Sequence, residues 1–465
     1  MCRKKYFIFY NIGRNEKDMY RYEGKDKNIF RGETVLVKAS VKHIMRWFSW
    51  SVLVKSKIRL HFRPSSENMR LSDGMLMVLI VMLSIFAPLS TDMFLPALDE
   101  MVVYFDTDES TMSMTMYMFM LFLAIGILFL GPVGDKYGRR IVLLGSLALY
   151  IVASVACSLS THIWVMIIFR ILQSIGAGGA MATAVALIRD CFEGEKRAKV
   201  LMVVAVIGVL GPVIAPVLGQ TLIWTLDWQS TFWAPAVVAL VCVVFTLLLP
   251  KDIPKERYTG SIIGAVGTVI PILKNGDFRR FTIMMNMVAF CILSYVSVSE
   301  YIYKDKGFGV GDMYSLYLAS AMILGVLLML AIGKIGRNMS NRTHLVVIFV
   351  LILVSVSILW TVGGLDPLLF FAGIVPIIAV SATARSFGFT ILLAQDVGNS
   401  GAISSVLNFM NFMFATAGMI VVVNLPFDNY VTSVAFCFTI YLVVYIALWA
   451  RMIFFGTSLK GLEKE

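Results

Sequence analysis

From Met75 onward the chain alternates long apolar runs with short polar breaks, and this rhythm carries most of the structural information. Runs of about 18 or more residues with few charges read as membrane-crossing helices, because about 20 residues at 1.5 Å each cross the hydrocarbon core. Twelve such spans can be marked, near 75–98, 112–133, 141–160, 163–188, 199–224 and 231–250, then 281–302, 313–333, 344–362, 367–391, 402–424 and 431–455. The longest polar interruption, KDIPKERYTG through KNGDFRR, divides them into six and six. Six spans, a linker and six spans is the arithmetic of a duplicated transporter. The expected fold is therefore an all-α membrane protein of twelve helices in two six-helix pseudo-repeat halves. Its parts are an N-terminal bundle 69–250, a cytoplasmic linker 251–280, a C-terminal bundle 281–456 and a cytoplasmic tail 457–465.

Composition agrees with that pattern. Of 465 residues 58% are hydrophobic and 15% charged, and mean hydropathy is +0.82. Soluble domains carry roughly a quarter charged residues. The net charge of +11 says less than it suggests. Residues 1–68 hold 16 Lys and Arg against 6 Asp and Glu, leaving 24 against 23 for the rest. The basic balance thus belongs to an N-terminal extension and does not mark the membrane body as a nucleic-acid binder. That extension has no run long enough to cross and no signal-peptide pattern. Two readings stay open: a basic amphipathic segment on an anionic lipid leaflet, or a stretch upstream of a true start at Met69. The six cysteines (Cys2, Cys157, Cys191, Cys242, Cys291, Cys437) are scattered without metal or disulfide spacing and read as small buried residues.

Loop charges orient the bundle. Lys136, Arg139, Arg140, Arg189, Lys196, Arg197 and Lys199 fall on one side, with Lys251, Lys255, Arg257, Lys274, Arg279, Arg280, Lys334, Arg337 and Arg342. The other side offers Lys304 and Lys306 and an acidic first loop (Asp99, Glu100, Asp106, Asp108, Glu109). By the positive-inside rule both ends of the bundle face the cytoplasm.

Charge inside a span is costly and marks function by default. Asp92 lies about 17 residues into span one, roughly 25 Å from the cytoplasmic end. Arg170 lies about 8 residues into span four, roughly 12 Å from the outside. Both belong in the outer half of the first bundle, where they could pair or share a water-filled cavity. A carboxylate whose solvation and cationic neighbour change with conformation can load and release a proton. A static buried ion pair is the plain alternative. Arg385 in span ten is expected to snorkel, and Glu300 to sit at the outer membrane interface. The run STMSMTMYMFMLF (Ser110–Phe122) either lines an adaptable pocket or simply packs. No P-loop, nucleophile elbow or His/Cys/Asp metal cluster appears, which speaks against an enzyme and against ATP as the energy source.

Several motifs carry a resemblance. GPVGDKYGRRIVLL (Gly131–Leu144), between spans two and three, resembles the GxLaDrxGrrxxl signature of the major facilitator superfamily, with Gly131, Asp135, Gly138, Arg139 and Arg140 in its key places and Val133 for its leucine. STDMFLPALDEM (Ser90–Met101) resembles the "stDmylPa" element of the Bcr/CflA drug-resistance branch. FRILQSIGAGGAMA (Phe169–Ala182) resembles "RxxqGxgaa", with Arg170 as its arginine. GVLGPVIAPVLGQ (Gly208–Gln220) resembles the antiporter motif, with Gly208, Gly211, Pro212, Pro216 and Gly219 and with Gln220 for the final glycine. GKIGRNMSNR (Gly333–Arg342) echoes the first loop only faintly and lacks its aspartate. The resemblance covers about residues 70–455. It implies a proton-coupled exporter of drugs or other small molecules in a prokaryotic inner membrane, driven by the proton gradient without a cofactor, read as a monomer whose partners are cargo, protons and lipid. Asp92 and Arg170 would couple protons, and the Gly131–Arg140 loop would latch the halves together. The bent span five would pack on its partner in the other half. A metabolite exporter, for an amino acid or sugar, and a non-transporting membrane sensor are the alternatives. In some multidrug members a glutamate stands two turns before the span-one aspartate. Here that residue is Ser84, which weakens the expectation of cationic cargo.

Overall fold

A computed structural model describes residues 71–250, 258–267, 269–303, 307–335, 339–395 and 400–462. The extension 1–68 and the first residues of the linker, 251–257, lie outside the described residues.

Twelve helical rods follow one another: α1 (Asp73–Tyr104), α2 (Glu109–Tyr137), α3 (Arg139–Ser158), α4 (Ile163–Cys191), α5 (Gly194–Thr225) and α6 (Ser230–Leu247), then α7 (Gly276–Tyr303), α8 (Tyr314–Ile335), α9 (Asn341–Thr361), α10 (Pro367–Leu393), α11 (Ser400–Asn424) and α12 (Tyr430–Phe455). Among the described residues eleven rods are long and apolar enough to cross a membrane; within α5 the apolar run is Leu210–Thr225. Polar caps explain many of the starts. Asp108, Ser340, Asp366 and Asn429 each accept a backbone N–H from the first turn of α2, α9, α10 and α12, satisfying donors that a helix leaves orphaned. Thr111 donates twice to Asp108, which holds that carboxyl below the usual carboxylate range. A depressed carboxyl stabilises the fold above its unfolded pKa and loses that contribution as the solution is acidified through its folded value.

Helices pack in a pattern that repeats six places along the chain. In the first half α4 packs on α2 and α3, α3 on α6, and α1 against α4, α5 and α6. In the second, α10 packs on α8 and α9, α9 on α12, and α7 against α10, α11 and α12. The halves meet where α2 lies on α11, α5 on α8 and α1 on α7. The outward faces are apolar, with Val237, Leu240 and Val244 of α6 and Leu316, Leu327 and Leu330 of α8 all exposed. Lipid tails are the solvent that suits such a surface. The chain is a multi-pass membrane protein.

The basic stretch Gly131–Arg140 is less of a loop than its sequence suggests. Helix α2 continues through Tyr137, and Gly138 alone separates it from α3. Its φ of 104° is open to glycine and strained for other residues. Two short helices, Ile262–Gly267 and Val269–Lys274, follow in the linker, and α7 starts at Gly276 rather than at 281. The C-terminal segment turns back over its own half. Backbone N–H and Oγ of Ser458 donate to Asp277, and Lys460 exchanges two hydrogen bonds with Gln395.

Helix α4 is held by its small residues. A Cβ at Gly178 would lie 2.8 Å from the Leu123 carbonyl oxygen and 2.9 Å from the Ile127 nitrogen, and one at Gly176 would lie 2.6 Å from the Ser146 oxygen. GAGG is therefore the seam on which α2 and α3 approach α4 backbone to backbone, the small-residue contact that membrane helices favour. Because backbone cannot rotate aside, Gly178→Ala is expected to cost about 1–3 kcal/mol, read as a lower thermal midpoint of the purified protein. Gly145, with nothing within 4 Å, is the control: Gly145→Ala should leave the midpoint unchanged or higher.

Candidate functional site

The site begins with two prolines in α1. Pro88 cannot donate to the Ser84 carbonyl and Pro96 cannot donate to that of Asp92, and each ring crowds the carbonyl four residues back. The rod is accordingly broken into Asp73–Ser84, Phe86–Thr91, a 3₁₀ turn Leu95–Ala97 and Leu98–Tyr104. Asp92 stands at the second break, buried, as the residue that caps Phe86–Thr91. The Thr91 hydroxyl lies 2.8 Å from the Ala87 carbonyl oxygen and 2.9 Å from Asp92 Oδ1. A hydroxyl has one proton and here meets two acceptors. A neutral Asp92 donating to Thr91, with Thr91 donating to Ala87, satisfies all three groups; an ionised Asp92 leaves them sharing one proton.

Arg170 of α4 is wholly buried and binds the helices around it. Its Nη1 donates to the Ser90 carbonyl oxygen and to Gln173 Oε1, both at 2.8 Å, and its Nε donates to the Thr115 carbonyl oxygen at 3.3 Å. Its guanidinium carbon lies 4.4 Å from the ring centroids of Phe94 and Phe119 and 5.6 Å from that of Phe232. Gln173 passes the network to Ser154, while the Tyr150 hydroxyl lies 2.6 Å from Ser90 Oγ. Asp92 and Arg170 are thus brought to one region without being paired. Arg170 grips the backbone two residues before Asp92 and stacks on the ring two residues after it. Arg170 Nη2 is buried and has no hydrogen-bond partner among the described residues. It is a spare donor in the region that holds Asp92.

Glu300 differs from its expected interfacial place. It is fully buried, and the Leu98 N–H donates to its Oε2 at 3.0 Å, from α1 to α7 across the two halves. Counting residues put it at the end of a span, which is right, but that end is covered by the broken end of α1. Only the tertiary contact reveals this.

The stretch Gly131–Arg140 forms an ionic knot at the opposite end of the bundle. Arg139, 1% exposed, pairs with Asp135, donates through Nε to Asp190 Oδ2 at 2.9 Å, and donates through Nη1 to the Gly131 carbonyl oxygen. Arg189 pairs with Asp135 at 3.0 Å and Asp190 at 3.1 Å. Arg140 ties α3 to the end of α6 through the Leu249 carbonyl oxygen, and the linker joins in through Tyr258, whose N–H donates to the Asp135 carbonyl oxygen. Asp190 had no place in the sequence motif. It is found because one turn of α4 carries Arg189 and Asp190 to the same spot.

Two of the α5 glycines face a neighbour in their own half. Gly211 faces Ile85 and Pro88, and Gly219 is pressed onto the Met93 carbonyl. The close packing of these two glycines is thus on α1 in the same half, around the Asp92 break, while α5 as a helix also packs on α8 of the other half. The broken backbone of α1 has to be received by a surface without side chains. Gly208 has nothing within 4 Å, and α5 runs through Pro212 and Pro216 as one helix. Contact with the other half includes a hydrogen bond from Ser315 Oγ to Gln220 Oε1 at 3.3 Å, and Gln220 is the residue that departs from the motif. By the same repeat, Gly418 of α11 is pressed onto the Phe290 carbonyl of α7.

Other singled-out residues are plainer. Met112, Met116 and Met120, four apart, are buried in the core, while Met114 and Met118 are half-buried. Ser84 Oγ donates to the Ile80 carbonyl oxygen of its own helix at 2.7 Å. The Arg385 side chain is exposed. Cys157, Cys242, Cys291 and Cys437 are free and buried, and Cys191 is buried as well.

Comparison with known proteins gives this arrangement its kin. The family model described as Major Facilitator Superfamily matches residues 80–422. The chain is 25% identical over 368 residues to an uncharacterised MFS-type transporter, YdgK of Bacillus subtilis (strain 168), covering 77% of this chain and 89% of that protein. It is 34% identical over 165 residues to the multidrug resistance protein MdtL of Escherichia coli (strain K12 / DH10B), a match of 36% of this chain that spans less than half of MdtL, 42%. In fold it is similar to the nucleoside transporter NupG, with TM-score 0.62 at 16% identity over 81% of this chain and 99% of that one. It is likewise similar to a D-xylose–proton symporter, with TM-score 0.64 at 14% identity over 84% of this chain and 99% of that one. The family and its neighbours are membrane transporters rather than enzymes. The chain belongs to the major facilitator superfamily.

Proposed function

We propose that this transporter is a proton-coupled exporter of the Bcr/CflA type, expelling drugs or other small molecules from a prokaryotic cell across its inner membrane. The observation that carries this reading is the Thr91 hydroxyl set between Ala87 and Asp92. It makes Asp92 a group whose hydrogen bonding is complete with a proton and deficient without one. In this reading Asp92 keeps its proton while shut in the α1 break. When the break is hydrated and the spare Nη2 of Arg170 swings to meet it, the proton leaves, since water and an adjacent cation both favour the ion. Cargo and proton would then use the bundle in turn, so one moves out as the other moves in. The basic knot around Arg139 would lie on the cytoplasmic side, with both ends of the bundle there, and would latch the halves in one of the two alternating states.

A second reading keeps the exchange and changes the cargo. Two turns before Asp92, α1 carries Ser84, bonded to its own helix. With no carboxylate there, the reading favours uncharged or zwitterionic cargo, which includes endogenous amino acids and sugars.

The test is proton movement in inverted vesicles acidified inside, challenged with a panel of drugs and metabolites. Exchange predicts that a transported compound makes the lumen lose protons. Uptake of cargo with no pH change, or with further acidification of the lumen, would overturn proton-coupled export.

A further inference from the structure

The sequence of the second half lacks the aspartate on which the basic knot is built, since GKIGRNMSNR has none where the first half has Asp135. The packing pattern nevertheless repeats, so α9 stands where α3 does and α10 where α4 does. In the first half Arg139, the first residue of α3, reaches Asp190 in the last turn of α4. In the second half the corresponding ends are joined by chain from beyond α12. Asn341, the first residue of α9, donates through Nδ2 to the Gly461 carbonyl oxygen at 2.8 Å. Gln395, just past the end of α10, accepts the Lys460 N–H through Oε1 at 3.0 Å and donates through Nε2 to the Lys460 carbonyl oxygen at 3.3 Å. The segment is seated as well as bonded. Leu459 and Leu462 are buried in the hydrophobic core, and the Ser458 N–H and hydroxyl both donate to Asp277 Oδ2 at the start of α7. Gly456 and Gly461 turn the chain with φ of 73° and 85°, where glycine is at ease and other residues are strained. A Cβ at Gly461 would lie 3.1 Å from Asn341 Nδ2 and 3.5 Å from Ile391 Cδ1 of α10, so the backbone lies close on both helices.

We propose that Gly456–Leu462 is the clasp of the second half: with main-chain hydrogen bonds and two leucines it does what Arg139 does with charge in the first, holding the ends of α7, α9 and α10 together at the end of the bundle that carries the knot. The chemistry suits the task. A side-chain amide has both a donor and an acceptor, so Gln395 answers both main-chain groups of Lys460. No buried ion pair has to be desolvated to make the joint. With the segment lifted away, Gln395 Oε1 loses its donor and Leu459 and Leu462 meet water, and both changes oppose release. A half that rocks against its partner has to move as one piece, and the clasp supplies that stiffness. This consequence rests on the alternating-access reading above, whereas the clasp itself does not.

The experiment is hydrogen–deuterium exchange of the full chain in nanodiscs, read by mass spectrometry in both halves. The double substitution Leu459→Asp, Leu462→Asp should expel the segment by placing two charges in the core. The expected result is exchange several-fold faster in peptides covering residues 344–349 of α9 and 390–395 at the end of α10, as for an element opened locally. Peptides covering 142–147 of α3 and 186–192 of α4 should keep their wild-type rates. Arg139→Ala should give the mirror result, faster in α3 and α4 and unchanged in α9 and α10. Gly461→Ala, which strains a positive φ and crowds Asn341, should move the same second-half peptides the same way by a smaller factor. If the double variant does not fold, the alanine variant decides. Unchanged rates in α9 and α10, or equal acceleration in both halves, would overturn the clasp. Proton flux in vesicles is read separately, so this proposal and the export reading can fall independently.

Discussion

Arg170→Ala is expected to be the most damaging single substitution in the first half. The guanidinium occupies the space between Phe94 and Phe119 and donates to backbone carbonyls of α1 and α2. Alanine would leave those carbonyls and Gln173 Oε1 without their donors, and a gap between two rings. Each buried acceptor left without its donor costs about 1–3 kcal/mol, and the lost contact with the rings adds to it. Arg170→Lys keeps the charge but cannot fork towards Ser90, Gln173 and Thr115 together, so it should fall between. Thermal unfolding of the purified protein with a reporter on the first half reads the order: wild type highest, lysine intermediate, alanine lowest. An alanine variant as stable as the wild type would show that the network is incidental.

Arg139→Ala should rank next. Arg139 serves Asp135, Asp190 and the Gly131 carbonyl at once while almost wholly buried. Without it the two carboxylates keep Arg189, which is 57% exposed and screened by water. The cost should sit near the lower end of the range for breaking a buried pair, about 3 kcal/mol, because Asp135 is itself 34% exposed. Arg139→Ala, Asp190→Asn relieves the stranded charge and should recover part of the loss. The double-mutant cycle would show a coupling energy well outside the few tenths expected of independent sites. Additive effects would mean that the knot is not a unit.

The sequence reveals elements whose cause is local. The spans follow from run length, the helix starts from Asp108, Ser340, Asp366 and Asn429, and the break in α1 from Pro88 and Pro96, although a hydropathy window smooths that break over. The basic knot is legible as far as Asp135, Arg139 and Arg140. Residues whose role depends on a neighbour are not legible. Glu300 looks interfacial until α1 is seen lying over it. Gly211 and Gly219 look like a seam between halves until they are found cradling the α1 backbone. Asp92 and Arg170 can be placed in one region by counting residues, but which atoms meet is hidden. Arg170 binds main-chain oxygens, and main-chain oxygens are present at every position of any sequence.

Everything functional in this account turns on Asp92 being the group that carries the proton. The most direct measurement follows cargo and pH together in inverted vesicles containing wild type or Asp92→Asn. The asparagine variant should lose cargo-driven proton release and gradient-driven accumulation, yet still exchange labelled for unlabelled cargo, because the pathway remains while the coupling is gone. An asparagine variant that still releases protons in step with cargo would contradict the account.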